Sequence, residues 1–159
     1  MIGSVGSPFR NLLLVSVGAT VLLAGGCDTG GSKPDSLYQK LIGSWRVNTV
    51  SSGENSPSPL IDTVRIEFSR ENAVRSYRII QDHSSDTTRV GRVFIPKSNV
   101  LRMGGYRTPL VWTFKFDGSR SVQLQLSRAG DTAVQEFLAD IGQGGSARRL
   151  TLELLRDSG

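Results

Sequence analysis

The chain has 159 residues, 18 of them glycine, a single cysteine and a single histidine, and its formal net charge is +5. One cysteine excludes an intramolecular disulfide, one histidine excludes a histidine-rich metal site, and the length holds one domain behind a targeting segment. The arginines between Arg65 and Arg156 are scattered, singly apart from Arg148-Arg149, without the basic patch and stacking aromatics of a nucleic-acid binder, so mild positive charge better suits solubility or an anionic lipid surface.

Residues 1–26 have the build of an export signal. Arg10 forms a short positive start, and Leu12-Leu13-Leu14-Val15 through Val21-Leu22-Leu23 forms an apolar stretch. Gly18 and Thr20 break that stretch, which is too short for a comfortable spanning helix. It ends in Leu23-Ala24-Gly25-Gly26-Cys27, which is similar to the lipobox of bacterial lipoproteins. The resemblance implies that Cys27 receives lipid, palmitate among the candidate chains, and becomes the first residue once the signal is cut. Two or more acyl chains would then hold the protein firmly on a membrane of the bacterial cell envelope. Asp28 resembles the inner-membrane retention signal of enterobacteria, a rule many other bacteria do not follow, so inner and outer membrane both stay open. Without residues 1–26, 18 basic and 14 acidic side chains remain. Residues 27–34, rich in glycine and other small residues, form a flexible tether.

Residues 35–159 read as one all-β domain. Asp35-Ser36 can cap a helical turn over Leu37–Leu41, with Pro34 just before it. A strand then runs from about Ser44 to Val50, with Trp45, Val47 and Thr49 on one face. Residues 51–59 are a loop by composition, and its two prolines do not suit a central strand. Further strands are predicted at Thr63–Ser69, Val74–Gln81, Thr88–Ile95, Val100–Met103, Leu110–Phe116, around Val122–Leu126, Ala133–Ala139 and Arg149–Leu155. Glu71-Asn72 and Asp117-Gly118 are tight turns, the second a strong hairpin signal. The segment Thr132–Ile141 is ambiguous, because Val134, Phe137, Leu138 and Ile141 recur at helical spacing.

About nine strands joined by short turns make an antiparallel meander, and closing it into a barrel removes the exposed edges. The Gly43-Ser44-Trp45 triplet, at the start of the first strand, resembles the Gly-x-Trp signature of lipocalins and fatty-acid-binding proteins. The resemblance implies an up-and-down β-barrel of eight to ten strands, lipocalin-like, with room for a small apolar ligand. Lipocalins also pair the signature tryptophan with a cation near the end of the last strand. Arg156 has the right parity and, in an antiparallel meander, lies beside the start of the first strand, so Trp45 and Arg156 are the expected barrel-closing pair.

No phosphate-binding glycine loop, nucleophile elbow or zinc-protease pattern appears, and no enzyme, catalytic residue, metal site or cofactor is expected. Asp82-His83-Ser84 are neighbours in sequence, whereas a triad must converge from separate elements. Glu67, Glu136 and Glu153 fall at outward-looking positions. Phe68, Trp112, Phe114, Phe116 and Leu124 are the candidates to line a ligand cavity, or else they fill the core. Two functions follow: a lipid-anchored barrel that binds or carries a small hydrophobic molecule in the cell envelope, or a filled-barrel interaction module such as an enzyme inhibitor or envelope-assembly partner. The partners expected are membrane lipid through Cys27 and, in the first reading, a small apolar ligand; a protein partner is unknown and nucleic acid is not expected.

Overall fold

Alternating apolar and polar residues dominate the chain from Gly43 onward, and they fold as strands. The computed structural model describes residues 33–53, 58–59, 63–82, 86–145, 147 and 149–157. The export signal, Cys27, most of the tether and His83 lie outside the described residues. The elements are α1 (Pro34–Leu41), β1 (Gly43–Ser52), β2 (Ser58–Pro59), β3 (Val64–Glu71), β4 (Val74–Gln81), β5 (Asp86–Lys97), β6 (Val100–Met103), β7 (Leu110–Asp117), β8 (Ser121–Arg128), α2 (Asp131–Asp140) and β9 (Leu150–Arg156).

Each strand from β3 to β9 pairs antiparallel with the next, β1 pairs with β3, and β9 returns to pair with β1. The result is a closed eight-stranded up-and-down barrel, at the low end of the expected range, with β2 a two-residue addition to β1. Closure leaves no strand of the meander with a free long edge. Short turns set the register. Asn72 and Ala73 connect β3 to β4 with φ of 47° and 67°, a left-handed pair that matches strand twist. Gly118 does the same work between β7 and β8 at φ 70°.

Inward residues recur at every second position: Val64, Ile66 and Phe68 on β3, Leu110, Trp112 and Phe114 on β7, and Leu150, Leu152 and Leu154 on β9 are all buried. Trp45, Trp112, Tyr38, Tyr77, Phe68 and Phe137 are the largest fully buried side chains, and they belong to one continuous core. Burial of apolar area at about 25 cal/mol per Å² is the main force holding the barrel closed.

Several expectations need correction. The strand predicted at Ala133–Ala139 is helix α2, and its buried residues Ala133, Val134, Phe137 and Leu138 follow the 3.6-residue period. Here the apolar face packs on the barrel end, and tertiary burial decides between two readings that periodicity left open. Asp35 and Ser36 do not cap α1; they lie in its first turn, which begins at Pro34. Proline suits that position because its missing N–H would have no partner there. Thr49 does not share the inward face of Trp45 and Val47, because a bulge between Val47 and Thr49 turns Val50 inward instead. Pro59 sits on the short edge segment β2, where a strand tolerates proline. Strand β5 does not stop before Pro96 and continues to Lys97.

Candidate functional site

The two ends of the barrel are built differently, and each gathers residues of interest. At the α1 end, Trp45 and Arg156 are direct partners in the β1–β9 ladder. The Arg156 guanidinium lies 5.2 Å from the Trp45 ring centre. The Trp45 Nε1–H donates to Leu41 O at 2.6 Å, while Arg156 Nη2 donates to Ile42 O at 2.9 Å and Nη1 to Lys40 O at 3.4 Å. Three successive carbonyls leaving the helix are thereby satisfied by two side chains, and a cation sits where the helix dipole is negative. Gly43 has φ +126°, and a Cβ there would lie 3.3 Å from Arg156 Nη2. The glycine of the Gly-x-Trp triplet therefore supplies both a backbone turn and room for the arginine.

Tyr38 of α1 completes that end. Its buried hydroxyl lies 2.7 Å from Ser69 O and 3.0 Å from Ser76 O, at the β3–β4 end of the barrel. Burial raises its pKa to about 12, against smaller opposing effects of the Ser76 hydrogen bond and nearby Arg75 and Arg70. Arg75 stacks over the Tyr38 ring at 5.2 Å and pairs with Asp35. Lys40 lies 5.9 Å from the Phe116 ring centre, and Phe116 packs against Trp45.

At the opposite end, α2 crosses the barrel mouth. Phe137 packs on Trp112 at 5.3 Å and on Tyr106 at 6.1 Å between ring centres. The helix end is latched to β4 and β5: Arg89 Nε donates to Asp140 Oδ2 at 2.7 Å, and Asp140 O accepts from Gln81 Nε2 at 3.1 Å and Thr88 Oγ1 at 3.2 Å. Arg89 also stacks over Tyr106 at 4.5 Å and donates to Gly105 O at 2.9 Å. Hydrogen bonding to Asp140 raises the Arg89 pKa above its ordinary value. Tyr77 donates to Gly104 O at 2.6 Å, and burial raises its pKa to about 12. Gly91 lies against this pair, and a Cβ there would come within 2.2 Å of Gly104 O.

Among the described residues, Trp112 Nε1 at this end has no hydrogen-bond partner on a residue 0 % exposed, and the Tyr106 hydroxyl, on a residue 9 % exposed, has the Tyr77 hydroxyl beside it. Burial, with the neighbouring Tyr77 and Asp140 charges, drives the Tyr106 pKa far above the ordinary tyrosine range. The Trp112 and Tyr106 rings both pack on Phe137 of α2.

Of the cavity candidates, Phe68, Trp112, Phe114 and Leu124 are buried in the core, while Phe116 is partly buried against it. The two aromatics Phe114 and Phe116 pack edge-to-face at 5.8 Å. One cleft lies on the outside of the barrel beside Arg102, Val111 and Arg128, and another lies at the α2 end between Leu126, Ala129 and Val134. Glu67 pairs with Arg78 at 2.5 Å, Glu136 lies 4.0 Å from Arg89, and Glu153 accepts from Asn48 at 2.9 Å. Among the described residues, no group of three or more His, Cys, Asp or Glu is gathered as a metal site would require. Cys27 and the Asp82-His83-Ser84 run fall wholly or partly outside the described residues.

Sequence reasoning missed the Arg89–Asp140 latch and its Tyr106 and Tyr77 surroundings. The only available signal was the helical spacing of Val134, Phe137, Leu138 and Ile141, which would have put Asp140 at a helix end. The fold and the two sealed ends define a closed, lipocalin-like all-β barrel as the class of protein. No protein-family model, curated protein or solved structure matches the chain.

Proposed function

We propose that the chain is a lipid-anchored protein of the bacterial cell envelope whose barrel is filled by its own side chains and acts through its outer surface, as an interaction module. The observation that carries this reading is the packing of Phe68, Trp112, Phe114 and Leu124 into one core with Trp45 and Phe137, beneath a helix at each end. Aromatics in contact with one another, 5–6 Å between ring centres, leave their faces to each other and not to a ligand. The anchor reading rests on the Leu23–Cys27 run and on the single cysteine of the chain.

A second reading has its own support. Trp112 Nε1 is buried beneath α2 with no hydrogen-bond partner among the described residues, and the Tyr106 hydroxyl is buried with Tyr77 beside it. A buried donor normally finds a partner. If α2 is a lid latched by Arg89 and Asp140, an apolar molecule with a polar head would meet both groups when it opens.

Metabolic labelling with an alkyne analogue of palmitate tests the anchor: wild type takes label and Cys27→Ser does not. An apolar fluorophore added to residues 28–159 tests the core. Dim, water-like emission supports the filled barrel, and bright emission displaced by fatty acid supports the carrier.

A further inference from the structure

We propose that the outer face of β4 and β5, continued across β6 and β7, docks on an anionic lipid bilayer. The inference rests on the lipid-anchor reading of Cys27 and goes beyond it by assigning the face that meets the membrane. Val74, Val90 and Phe94 are the large hydrophobics exposed among the described residues, at 45 %, 60 % and 56 %. All three lie on that one face. Val90, Arg92 and Phe94 alternate outward along β5, while Val93 and Ile95 point into the core. Val74 and Phe94 flank one small cleft with Arg75 and Arg92, so the apolar side chains are neighbours and not isolated points.

Basic side chains predominate on this face, with Asp86 and Asp117 at its margins, as the first residue of β5 and the last of β7. From Thr87 to Phe116, the chain carries Arg89, Arg92, Lys97, Arg102, Arg107 and Lys115 and no carboxylate. Arg89 is engaged by α2, but Arg92, Arg102 and Arg128 have no ion-pair partner among the described residues. Register extends the row: Phe94 is opposite Arg102, Arg102 opposite Val111, and Val111 opposite Arg128. Arg102 and Arg128 flank a cleft of about 600 Å³ floored by Val100, Val111 and Pro109. Apolar side chains ringed by unpaired guanidinium groups match the boundary between acyl chains and phosphate headgroups. Basic residues near an anionic surface each add attraction that falls off within a Debye length.

The tether brings the face to the bilayer. Six residues lie between Cys27 and Pro34, seven backbone steps with a reach of at most about 25 Å. The chain enters the fold where Asp35 pairs with Arg75, next in sequence to Val74. An anchor on so short a lead keeps this corner of the barrel within reach of the lipid. Tethering also raises the effective concentration, so even weak intrinsic affinity suffices for docking.

The test uses residues 28–159, which contain all the buried core from Leu37 to Leu154 and no cysteine. Val90→Cys carries an environment-sensitive fluorophore, and Gln123→Cys, on the exposed outer face of β8, carries the same label as control. Vesicles are one-third phosphatidylglycerol in phosphatidylcholine, or phosphatidylcholine alone. The expected result is a blue shift at position 90 with anionic vesicles only, reversed by high salt and silent at position 123. Arg92→Glu with Arg102→Glu should lower vesicle partition about tenfold or more, and Phe94→Ser should lower it with an unchanged melting temperature. Water-like emission at position 90 with both vesicles, equal shifts at both positions, or partition indifferent to the charge reversal would overturn the proposal. Acylation of Cys27, read from the mass of the mature full chain, is scored separately, so loss of the anchor and loss of the docking face give different results.

Discussion

Arg156, in the last strand, lies over the indole of Trp45, in the first, and the two share the carbonyls of Lys40, Leu41 and Ile42 between them. Barrel closure and the end of α1 are therefore one structural event: β9 cannot leave β1 without uncovering the helix end. Trp45 is fully buried, so Trp45→Ala should destabilise the fold by about 3–5 kcal/mol, measured by urea unfolding. Parent-like unfolding of this variant would contradict the closing role.

Gly43→Ala tests the same junction from the backbone. A side chain at φ +126° is strained, and its Cβ would press on Arg156. The expected cost is about 1–3 kcal/mol. Much of it should disappear in an Arg156→Ala background, where the steric part is gone; a double-mutant cycle reads that coupling.

The β3–β4 hairpin offers a gain in place of a loss. Ala73 holds φ 67°, a region glycine occupies without penalty. Ala73→Gly should stabilise the protein by about 1 kcal/mol, the left-handed cost outweighing the entropy glycine adds to the unfolded chain. A lower melting temperature would mean that the turn is not strained.

Asp140→Asn tests the α2 latch. Arg89 would keep its stacking on Tyr106 but lose its charged partner. Amide hydrogen exchange in α2 should accelerate about tenfold or more while β1 and β9 keep their protection, as expected of a locally opening element. Uniform acceleration throughout the barrel would show that α2 and the barrel unfold together.

The chain's three tyrosines, Tyr38, Tyr77 and Tyr106, all have raised pKa values because burial disfavours the phenolate. For Tyr38 and Tyr77 the rise is from 10.0 to about 12. The unfolded chain therefore gives up these protons first, so stability is full below pH 10 and falls as pH rises through 10 to 12. Tyrosinate absorbance should stay flat through pH 10 and then rise together with loss of structure. A titration centred at the ordinary value in folded protein would contradict the burial of these rings.

Much of this molecule was legible in its sequence, for identifiable reasons. Strands such as Val74–Gln81 and Val100–Met103 show clean turn residues at both ends, and their bounds need no tertiary information. Trp45 and Arg156 could be paired because parity and antiparallel order place them at one end of a closed meander. The α2 segment was not decidable, since Val134, Phe137, Leu138 and Ile141 suit a helix while its neighbours suit a strand, and only the barrel mouth beneath decides. The bulge at Val47–Thr49 was also hidden, because one extra residue leaves no local mark in Val47-Asn48-Thr49-Val50. The Arg89–Asp140 contact joins residues 51 positions apart in sequence, which no periodicity reveals.

The central claim is that the barrel's interior is occupied by its own side chains, and native mass spectrometry of residues 28–159 purified from a bacterial host tests it most directly. A filled barrel predicts the bare polypeptide mass, unchanged when fatty acids and other apolar molecules are added. An added mass that leaves on denaturation and extracts as a lipid or similar molecule would contradict it, and would make α2 a lid over a binding site.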